Sequence, residues 1–532
     1  MCGILGDINH SFDTMRFQLA LSQLRHRGPF GEGLIKLPEG ALGMTRLPMS
    51  SDKSVPLPVN ILNASVAYNG EIYGTDMDIY SEVQVLLQGI YNRKLPDGMY
   101  AAAIWQPEEA TLTLVRDRFG IKPLYYHYNA ESGRLSFASE LRALITLTDL
   151  RRADQDAIAE MVATGVTFEQ RTLFSGIKML APGEVLHFYL SERGASLKCR
   201  ELVPAELSHL NLNLEESLAK SIESCTDTFR SSALLISGGV DSTLINTWLP
   251  VNTAKFTLSL QGAEEEVTDW STLRRVSLEE KDFMTLLRRS VVNYGSATRM
   301  SSLLMYQRLA DAVGNEGFHS VLVGEGADEL FHGYPRHLDL YQKDMMFTPD
   351  SFNHYWFGDY STKSKILSPD RAAQLCRDLD RRAATELAGG IEQAIRHYDL
   401  IYSLEPLLRR ADHLLMSRTI EARLPFLHYG IEQLAQQVVR IDKGQTKVAL
   451  RQLLEARLPR TRLGPKRHFR IPFSQWPGAV VQMKTYLKKS LEALHKLGLV
   501  NLTPAIIDTM EEAQLFTLTT LSVWQHEFKV ES

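Results

Sequence analysis

The stretch Met1-Cys2-Gly3-Ile4 opens the chain, and it decides which fold we expect for the N-terminal half. Loss of the initiator methionine would leave a thiol and a free α-amine on the same residue, Cys2. An N-terminal α-amine has an ordinary pKa of about 7.7 to 8.0, so near neutral pH it can accept the proton of the adjacent thiol. Cys2 is therefore a candidate catalytic nucleophile that carries its own base.

Four further motifs follow Cys2 within the first hundred residues. They are Arg25-His26-Arg27-Gly28-Pro29, Thr45-Arg46-Leu47, Asn69-Gly70-Glu71-Ile72-Tyr73 and Asp97-Gly98-Met99-Tyr100. Taken singly, Asn69-Gly70 and Asp97-Gly98 are also typical of hairpin turns, and Arg46 of a surface charge. In this order behind Cys2, the set resembles the N-terminal-nucleophile glutaminase domain of class II glutamine amidotransferases.

The residue types in these motifs suit glutamine as a substrate. Attack by sulfur on the side-chain amide produces a tetrahedral oxyanion, for which the Asn69 side chain and the Gly70 backbone N–H are suitable donors. Arg46 offers a planar fork of donors to the α-carboxylate, while Glu71 and Asp97 would pair with the α-ammonium. The glutamine-binding residues that we expect are Arg46, Asn69, Glu71 and Asp97, beside the catalytic residues Cys2, Asn69 and Gly70.

Composition describes an ordinary soluble protein of more than one domain. The chain has 532 residues, 44% of them hydrophobic, and a formal net charge of −5, so we expect two or three domains and no basic field for nucleic acid. It has no run of 18 apolar residues and no basic leader followed by an apolar stretch, from which we expect a cytoplasmic protein without a membrane span. Four scattered cysteines without a Cys-x-x-Cys pair favour neither a disulfide framework nor a zinc site.

The periodicity of the chain changes near residue 200. Before it, alternating segments such as 112–115 and 185–189 predict short strands, and the predicted strand 64–68 ends in an Asn69-Gly70 turn. We place the linker at 202–214, and a helical period follows up to about residue 228. The predicted domains are therefore 1–200 and 201–532.

A second decisive segment lies at 233–249. The apolar strand 233–236 leads into Ser237-Gly238-Gly239-Val240-Asp241-Ser242 and then a helical stretch. A glycine-bearing turn at a helix N-terminus presents free backbone N–H groups to an anion. The turn lacks the Gly-Lys-Ser/Thr ending of a Walker A loop and resembles the pyrophosphate-binding loop of ATP pyrophosphatases, although an isolated Ser-Gly-Gly turn is more often a simple cap. The ATP-binding residues that we expect are Ile236, Ser237, Gly238, Gly239, Asp241, Ser242, Leu258, Val323 and Gly324.

A third segment repeats this strand-loop-helix pattern with acidic residues. The apolar strand 321–323 precedes Gly324-Glu325-Gly326-Ala327-Asp328-Glu329. Carboxylates are the ligands that Mg²⁺ takes when it bridges ATP phosphates. Because Asp241 and Asp328 each follow a strand, they should meet at the carboxyl edge of a parallel sheet, and we predict that they hold Mg²⁺. The alternative, a solvated acidic helix start, leaves the pairing of two such units unexplained.

Three later segments extend the resemblance to nearly the whole chain. Residues 410–417, 421–427 and 464–473 stand in the order found in the synthetase domain of glutamine-dependent asparagine synthetases. The resemblance implies that Lys466 neutralises pyrophosphate or the α-phosphate and that Glu325 lies beside an acyl-adenylate, which makes both candidate catalytic residues. Read alone, Lys466 is equally well explained as a solvated lysine beside Arg467.

The resemblance implies a fold and a reaction. The expected fold is an α+β N-terminal-nucleophile sandwich followed by an α/β ATP-pyrophosphatase domain with a parallel sheet and added helices. The expected substrates are glutamine, ATP and a carboxylate acceptor, with Mg²⁺ as cofactor, and aspartate would become asparagine with release of AMP, pyrophosphate and glutamate. Ammonia should travel between the sites along an apolar passage. The resemblance leaves a homodimer open.

Three departures from the family pattern leave the acceptor open as well. Phe30 and His428 stand where the family usually has aspartate, and the segment 261–283 is shorter than usual. The alternative is therefore a paralogous amidotransferase that acts on another carboxylate. A binding protein without chemistry is disfavoured, because its candidate residues are all present, and the intact Cys2 argues against a ring-closing synthetase that needs no ammonia.

Overall fold

The structure is a computed structural model that describes residues 2–49, 55–74, 78–203, 213–226, 231–261, 272–342, 347–459 and 469–531, without the side chains of 340–342 and 429. Within these ranges, no helix has the length and apolar character needed to cross a bilayer. The structure contains an antiparallel half and a parallel half, in agreement with the expected fold class.

The N-terminal half is built mainly from strands. These are β1 (Cys2–Ile8), β2 (Gly31–Leu37), β3 (Gly40–Arg46), β4 (Val59–Ile61), β5 (Ala64–Ile72), β6 (Gly98–Gln106), β7 (Thr111–Arg116), β8 (Tyr125–Asn129), β9 (Arg134–Ala138), β10 (Ile177–Met179), β11 (Glu184–Ser191) and β12 (Gly194–Leu202). The helices are α1 (Thr14–Ser22), α2 (Ile79–Tyr91), α3 (Leu141–Thr148) and α4 (Gln155–Thr164).

These strands form two antiparallel sheets, ordered β10-β8-β9-β1-β3-β2 and β12-β11-β7-β6-β5-β4. Successive residues of a strand point to opposite faces of its sheet. On β1, Ile4 therefore packs in the apolar layer between the two sheets, while Leu5 packs with α1 and α3 on the outer face. This alternation holds β1 in the centre of its sheet, with Cys2 at its first position.

The structure contradicts the predicted turn at Asn69-Gly70. β5 continues through both residues to Ile72, and Gly70 lies opposite Tyr100 on β6. A Cβ on Gly70, whose φ is +151°, would lie 2.1 Å from the Met99 carbonyl oxygen. Glycine is therefore needed at this position for close approach of two strands and not for a turn.

The C-terminal half is mainly helical around a sheet. Its strands are β13 (Ser232–Leu235), β14 (Lys255–Leu260), β15 (Leu273–Leu278), β16 (Ser320–Leu322), β17 (Glu421–Arg423), β18 (Ile441–Asp442) and β19 (Gln445–Thr446). Its helices are α5 (Leu214–Thr226), α6 (Val240–Asn246), α7 (Phe283–Tyr294), α8 (Ser302–Asn315), α9 (Ala327–Leu330), α10 (Pro335–Gln342), α11 (Pro349–Phe357), α12 (Tyr360–Lys363), α13 (Pro369–Ala388), α14 (Ile391–Tyr398), α15 (Glu405–Met416), α16 (Tyr429–Gln437), α17 (Val448–Arg457), α18 (Pro477–Lys489), α19 (Leu491–Lys496), α20 (Pro504–Thr509) and α21 (Glu512–Glu527). Short 3-10 turns at Glu280–Asp282, Ser364–Ile366 and Phe473–Gln475 and a π-helix at Asp399–Leu404 join some of them.

The order of the parallel sheet determines where a ligand can bind. The described strands run β15-β14-β13-β16-β17, and every neighbouring pair is parallel. The chain builds outward from β13 on one side and then crosses to β16 on the other, so the strand order reverses between β13 and β16. In open parallel sheets, ligands bind outside the carboxyl ends of the strands at such a reversal. The loops after these two strands are the glycine-bearing turn and the acidic loop of the sequence.

One of the apolar clusters extends across both halves. Helices α1 and α3, which cover a sheet of the N-terminal half, belong to the same cluster of buried residues as α8 and α15 of the C-terminal half. Helix α4 of the N-terminal half packs against α12, α13 and α21. The contacts described below between the two halves are therefore part of a continuous packed structure.

Candidate active sites

Cys2 is held at the start of β1 by neighbours from three segments. Its backbone N–H donates to Asn69 Oδ1 at 3.0 Å, and Arg27 Nε donates to its carbonyl oxygen at 3.2 Å. The next residue, Gly3, donates its N–H to Thr45 Oγ1 at 3.0 Å. Removal of Met1 would turn the backbone nitrogen of Cys2 into the terminal amine, which Asn69 would then orient.

The other end of the Asn69 amide is available for a substrate. Asn69 is fully buried, yet its Nδ2 has no hydrogen-bond partner among the described residues. On β6, both backbone groups of Tyr100 bond to Asp117, so its strand partner Gly70 directs its own backbone away from β6. An unpaired buried donor is costly, which makes Asn69 Nδ2 a candidate donor to an oxyanion.

Burial raises the pKa of the Cys2 thiol, while the positive chain terminus and Arg46 lower it. Arg46 is buried at the end of β3, directly opposite Cys2 in the sheet register. A buried guanidinium opposite the nucleophile suits the α-carboxylate of glutamine and also favours the thiolate.

Glu71 and Asp97 face the C-terminal half of the protein. Glu71 accepts a hydrogen bond from Arg423 Nη2 on β17 at 2.5 Å, and burial raises the pKa of Glu71 while Arg423 opposes that shift. Asp97 Oδ2 lies 3.5 Å from His428 Nδ1, and the His428 ring stacks on Tyr73 with 4.0 Å between the centroids. Both predicted ammonium ligands therefore contact the C-terminal half. The sequence did not predict that Arg423 pairs with Glu71. Arg423 lies in the segment 421–427, which was noted only for its resemblance to the synthetase domain.

The glycine-bearing turn after β13 has the shape of an anion cradle. Gly238 has a φ of +74°, which favours glycine, and α6 begins directly after Gly239. Ser237 N–H donates to Ser242 Oγ at 3.1 Å, and Gly239 N–H donates to Ser237 Oγ at 3.3 Å. These two hydroxyls hold the turn in the form that presents its backbone to a phosphate.

Lys447 joins the two predicted metal ligands, and nothing in the sequence pattern indicated it. Its Nζ lies 2.6 Å from Asp241 Oδ2 and 2.7 Å from Asp328 Oδ1. Lys447 is 4% exposed and begins α17 from the left-handed backbone region, with a φ of +55°. Burial lowers the pKa of its ammonium and the two carboxylates raise it, with a net rise. Asp241 and Asp328 do meet at the carboxyl edge of the sheet, but around a lysine.

The acidic loop after β16 is held by residues of α8 and α15. Glu325 Oε1 accepts hydrogen bonds from the Tyr306 hydroxyl and from Arg410 Nη2, the latter at 2.7 Å. Arg410 also lies over the Tyr306 ring, 4.0 Å from its centroid. A carboxylate fixed by a guanidinium and a phenol is a positioned charge, as a reaction centre requires.

The remaining predicted ATP-binding residues surround the same edge. Ile236 follows β13 and donates its N–H to the Phe256 carbonyl, while Leu258 lies farther along β14. Val323 donates its N–H to the Arg423 carbonyl, and a Cβ on Gly324 would lie 3.1 Å from Asp241 Cβ. Lys466 lies outside the described residues.

Comparison with known proteins agrees with both halves. The glutamine amidotransferase domain model matches residues 1–198, and the asparagine synthase model matches residues 213–526. The glutamine-hydrolysing asparagine synthetase 1 of Bacillus subtilis (strain 168) is 22% identical over 565 residues, covering 90% of this chain and 88% of its own. Asparagine synthetase 3 of the same organism is 23% identical and covers 74% and 73%. Amidase chyE of Penicillium rubens is 24% identical and covers 66% and 57%.

The asparagine synthase match extends over more than half of the chain and includes the turn after β13, the acidic loop after β16 and Lys447. The amidotransferase match includes Cys2 and the Asn69-Gly70 strand. The chain therefore belongs to the asparagine synthase family and is a glutamine-hydrolysing, ATP-using ligase with an amidotransferase domain ahead of its synthetase half.

Proposed function

We propose that the protein uses glutamine-derived ammonia to convert a carboxylic acid into an amide by way of an acyl-adenylate, with aspartate as the acceptor and asparagine as the product. The observation that carries this proposal is the presence of two complementary sites in one packed chain. Cys2 lies against an amide with a free donor, and Lys447 joins two carboxylates at a phosphate cradle. We also propose a cytoplasmic enzyme, in keeping with four free cysteines.

In the glutaminase half, the thiolate of Cys2 attacks the side-chain amide carbon of glutamine. Its α-amine, held by Asn69 Oδ1, takes the thiol proton and passes it to the departing ammonia. Asn69 Nδ2 and the Gly70 N–H stabilise the oxyanion, and water then hydrolyses the thioester to glutamate. Arg46 binds the α-carboxylate, and Glu71 and Asp97 bind the α-ammonium.

In the synthetase half, the acceptor carboxylate attacks the α-phosphorus of ATP and pyrophosphate leaves. The turn that includes Ser237, Gly238 and Gly239 receives the phosphates. Asp241 and Asp328 already converge on one cation, and Mg²⁺ is commonly held by one or two carboxylates together with substrate phosphates. These residues therefore fit Mg²⁺, which would neutralise phosphate charge when bound. Lys466 is proposed to act on the same phosphates.

The expected apolar passage has a candidate starting point. Leu47, Met49 and Met416 form a small buried apolar cluster between the two halves. The Leu47 backbone contacts the Cys2 thiol, and Met416 ends α15, the helix whose Arg410 holds Glu325. Six residues of helix span about 9 Å. We propose that ammonia follows α15 toward Glu325.

The second candidate acceptor is a carboxylic acid other than aspartate. His428, which stands where the family usually has aspartate, stacks on Tyr73 and lies 3.5 Å from Asp97, so this departure belongs to the proposed glutamine site and not to the acceptor. Part of the shortened segment, 262–271, lies outside the described residues. A relative named as an amidase supports a wider range of activities in the family.

Three measurements test this proposal. Release of AMP and pyrophosphate is measured with ATP, Mg²⁺, glutamine and a panel of carboxylic acids that includes aspartate. Cys2→Ala should abolish glutamine hydrolysis while synthesis from added ammonium survives. Asp328→Asn should abolish the release of AMP and pyrophosphate while glutamine hydrolysis survives. Release of ADP and phosphate instead of AMP, or loss of ammonium-dependent synthesis in folded Cys2→Ala protein, would refute the two-site scheme. Turnover with another acid but not with aspartate would select the second candidate.

A further inference from the structure

A cavity of about 190 Å³ lies where α4 of the glutaminase half meets the synthetase half. Its walls include Met161, Arg299, Tyr334, Arg336, Glu405 and Arg409. Pockets for drug-sized ligands commonly measure about 300–1,000 Å³. This cavity therefore suits a smaller molecule, of the size of an amino acid.

The cavity adjoins the proposed adenylation site through Tyr334. Tyr334, in its wall, donates its hydroxyl to Glu329, which is next to the proposed metal ligand Asp328. Arg409, also in its wall, precedes Arg410, which holds Glu325. Tyr334 therefore links this cavity to Glu329 of the loop after β16.

Arg299 has no anionic partner among the described residues. Its Nη1 donates to the Thr164 carbonyl at 2.9 Å, and in the described part of the chain no carboxylate lies within ion-pair distance of its guanidinium. Burial and the nearby Arg336 lower the pKa of Arg299 to about 10. A Cβ on Gly165, which has a φ of +81°, would lie 2.2 Å from Arg299 Cδ, so glycine is required for the side chain to pass. The chain thus makes room for the Arg299 guanidinium, which has no counterion among the described residues.

The other two arginines of the cavity are already engaged. Arg336 Nη2 donates to Asp399 Oδ1 at 2.6 Å and to Ser403 Oγ at 2.9 Å. Arg409 lies over the Tyr294 ring, 4.6 Å from its centroid. Arg299 is therefore the arginine of the three that a bound anion would satisfy.

Glu405 supplies the opposite charge in the same cavity. It is the first residue of α15 and is only 7% exposed. Its nearest cations in the described chain are Arg116 Nη2 at 3.8 Å and Arg409 Nε at 3.9 Å, and its Oε1 accepts no hydrogen bond from a described residue. Buried carboxylate oxygens are normally hydrogen-bonded, so Glu405 Oε1 is available for a donor that the described residues do not supply.

We propose that this cavity binds the acceptor as a free α-amino acid, with the α-carboxylate on Arg299 and the α-ammonium on Glu405. Burying either charge without a partner is costly, and a zwitterion satisfies both protein groups at once. The side-chain carboxylate is then directed past Tyr334 toward ATP. This inference rests on the proposed adenylation of a carboxylate and names the chemical class of its acceptor.

The test compares aspartate with two molecules that each lack one charge. Succinate lacks the α-ammonium of aspartate, and β-alanine lacks its α-carboxylate. We expect the kcat/KM for AMP release to be at least about tenfold higher with aspartate than with either analogue, because each lost charged hydrogen bond contributes roughly that factor. If a different amino acid is the substrate, its own deaminated and decarboxylated analogues replace these two.

Two variants assign the charges to residues. Arg299→Gln should raise the KM for aspartate and succinate about 10- to 100-fold and leave that for β-alanine unchanged. Glu405→Gln should raise the KM for aspartate and β-alanine and leave that for succinate unchanged. Arg308→Gln and Glu392→Gln, which change the same residue types outside the cavity, serve as matched controls. Glutamine hydrolysis and the midpoint of thermal unfolding report whether each variant is folded.

Several results would overturn the inference while the proposed function stands. These are wild-type KM values in both folded variants, an equal effect of each variant on all three acids, or turnover confined to acids without an α-amino group. Absence of AMP release with every acid would instead refute the adenylation itself, and the acceptor site with it.

Discussion

Replacing Arg423 by methionine should expose how strongly the glutamine site depends on the synthetase half. Arg423 is fully buried, and its Nη2 lies 2.5 Å from Glu71 Oε2 and 3.3 Å from Glu421 Oε2. Removing one member of a buried ion pair costs about 3–5 kcal/mol, because the remaining charges stay buried without compensation. Protonation of Glu71, whose pKa burial already raises, limits the loss, so we expect about 3 kcal/mol.

The assay is thermal unfolding, followed together with loss of glutamine hydrolysis on heating. For a domain of 150–250 residues, 1 kcal/mol shifts Tm by about 2–4 °C, so Arg423→Met should lower the midpoint by about 6–12 °C. In the variant, the folded pKa of Glu71 lies further above its unfolded value, so stability that is present at low pH is lost as the pH rises. The deficit relative to wild type should therefore be larger at pH 8 than at pH 5.5.

A control and a double variant make the test specific. Arg377→Met, at an exposed position on α13, should change stability by less than about 0.5 kcal/mol. Glu71→Gln combined with Arg423→Met should be less destabilised than the sum of the two single changes. We also expect a higher KM for glutamine in Arg423→Met, because Glu71 loses its orienting partner. An unfolding midpoint within about 1 °C of wild type, with an unchanged KM, would refute this account.

Three further predictions follow from other buried charges. Burial raises the pKa of Glu82 to about 8, so the free energy of unfolding of wild type should fall by about 3 kcal/mol between pH 5 and pH 8 relative to that of Glu82→Gln. Parallel pH profiles of Tm for the two proteins would contradict this. Lys447→Met should lower Tm without Mg²⁺ and gain more from added Mg²⁺ than wild type does, because the two carboxylates that it bridges lose their cation; equal Mg²⁺ shifts would count against it. His428→Phe keeps the stacking on Tyr73 but loses the contact with Asp97, so the KM for glutamine should rise severalfold while ammonium-dependent synthesis is unchanged; a lowered ammonium-dependent rate would argue against this role.

Most of the fold class and the positions of the two candidate sites could be predicted from the sequence because their signals are local. The Ser237 to Ser242 turn is read from adjacent residues whose backbone chemistry does not depend on the rest of the chain. The strands beside it follow from short apolar runs. The strand through Asn69 and Gly70 could not be read in this way, since the same dipeptide is typical of a hairpin turn.

The sequence by itself determined the candidate groups: a thiol at Cys2, a glycine-bearing turn after one strand and carboxylates after another. Only the tertiary structure decided the partners of these groups, such as Lys447, which is 206 residues from Asp241, and Arg423 on Glu71. It also brought Arg299 and Glu405 to one cavity. The physical reason is that periodicity and turn chemistry report the local backbone, whereas buried charges are matched by packing between distant segments.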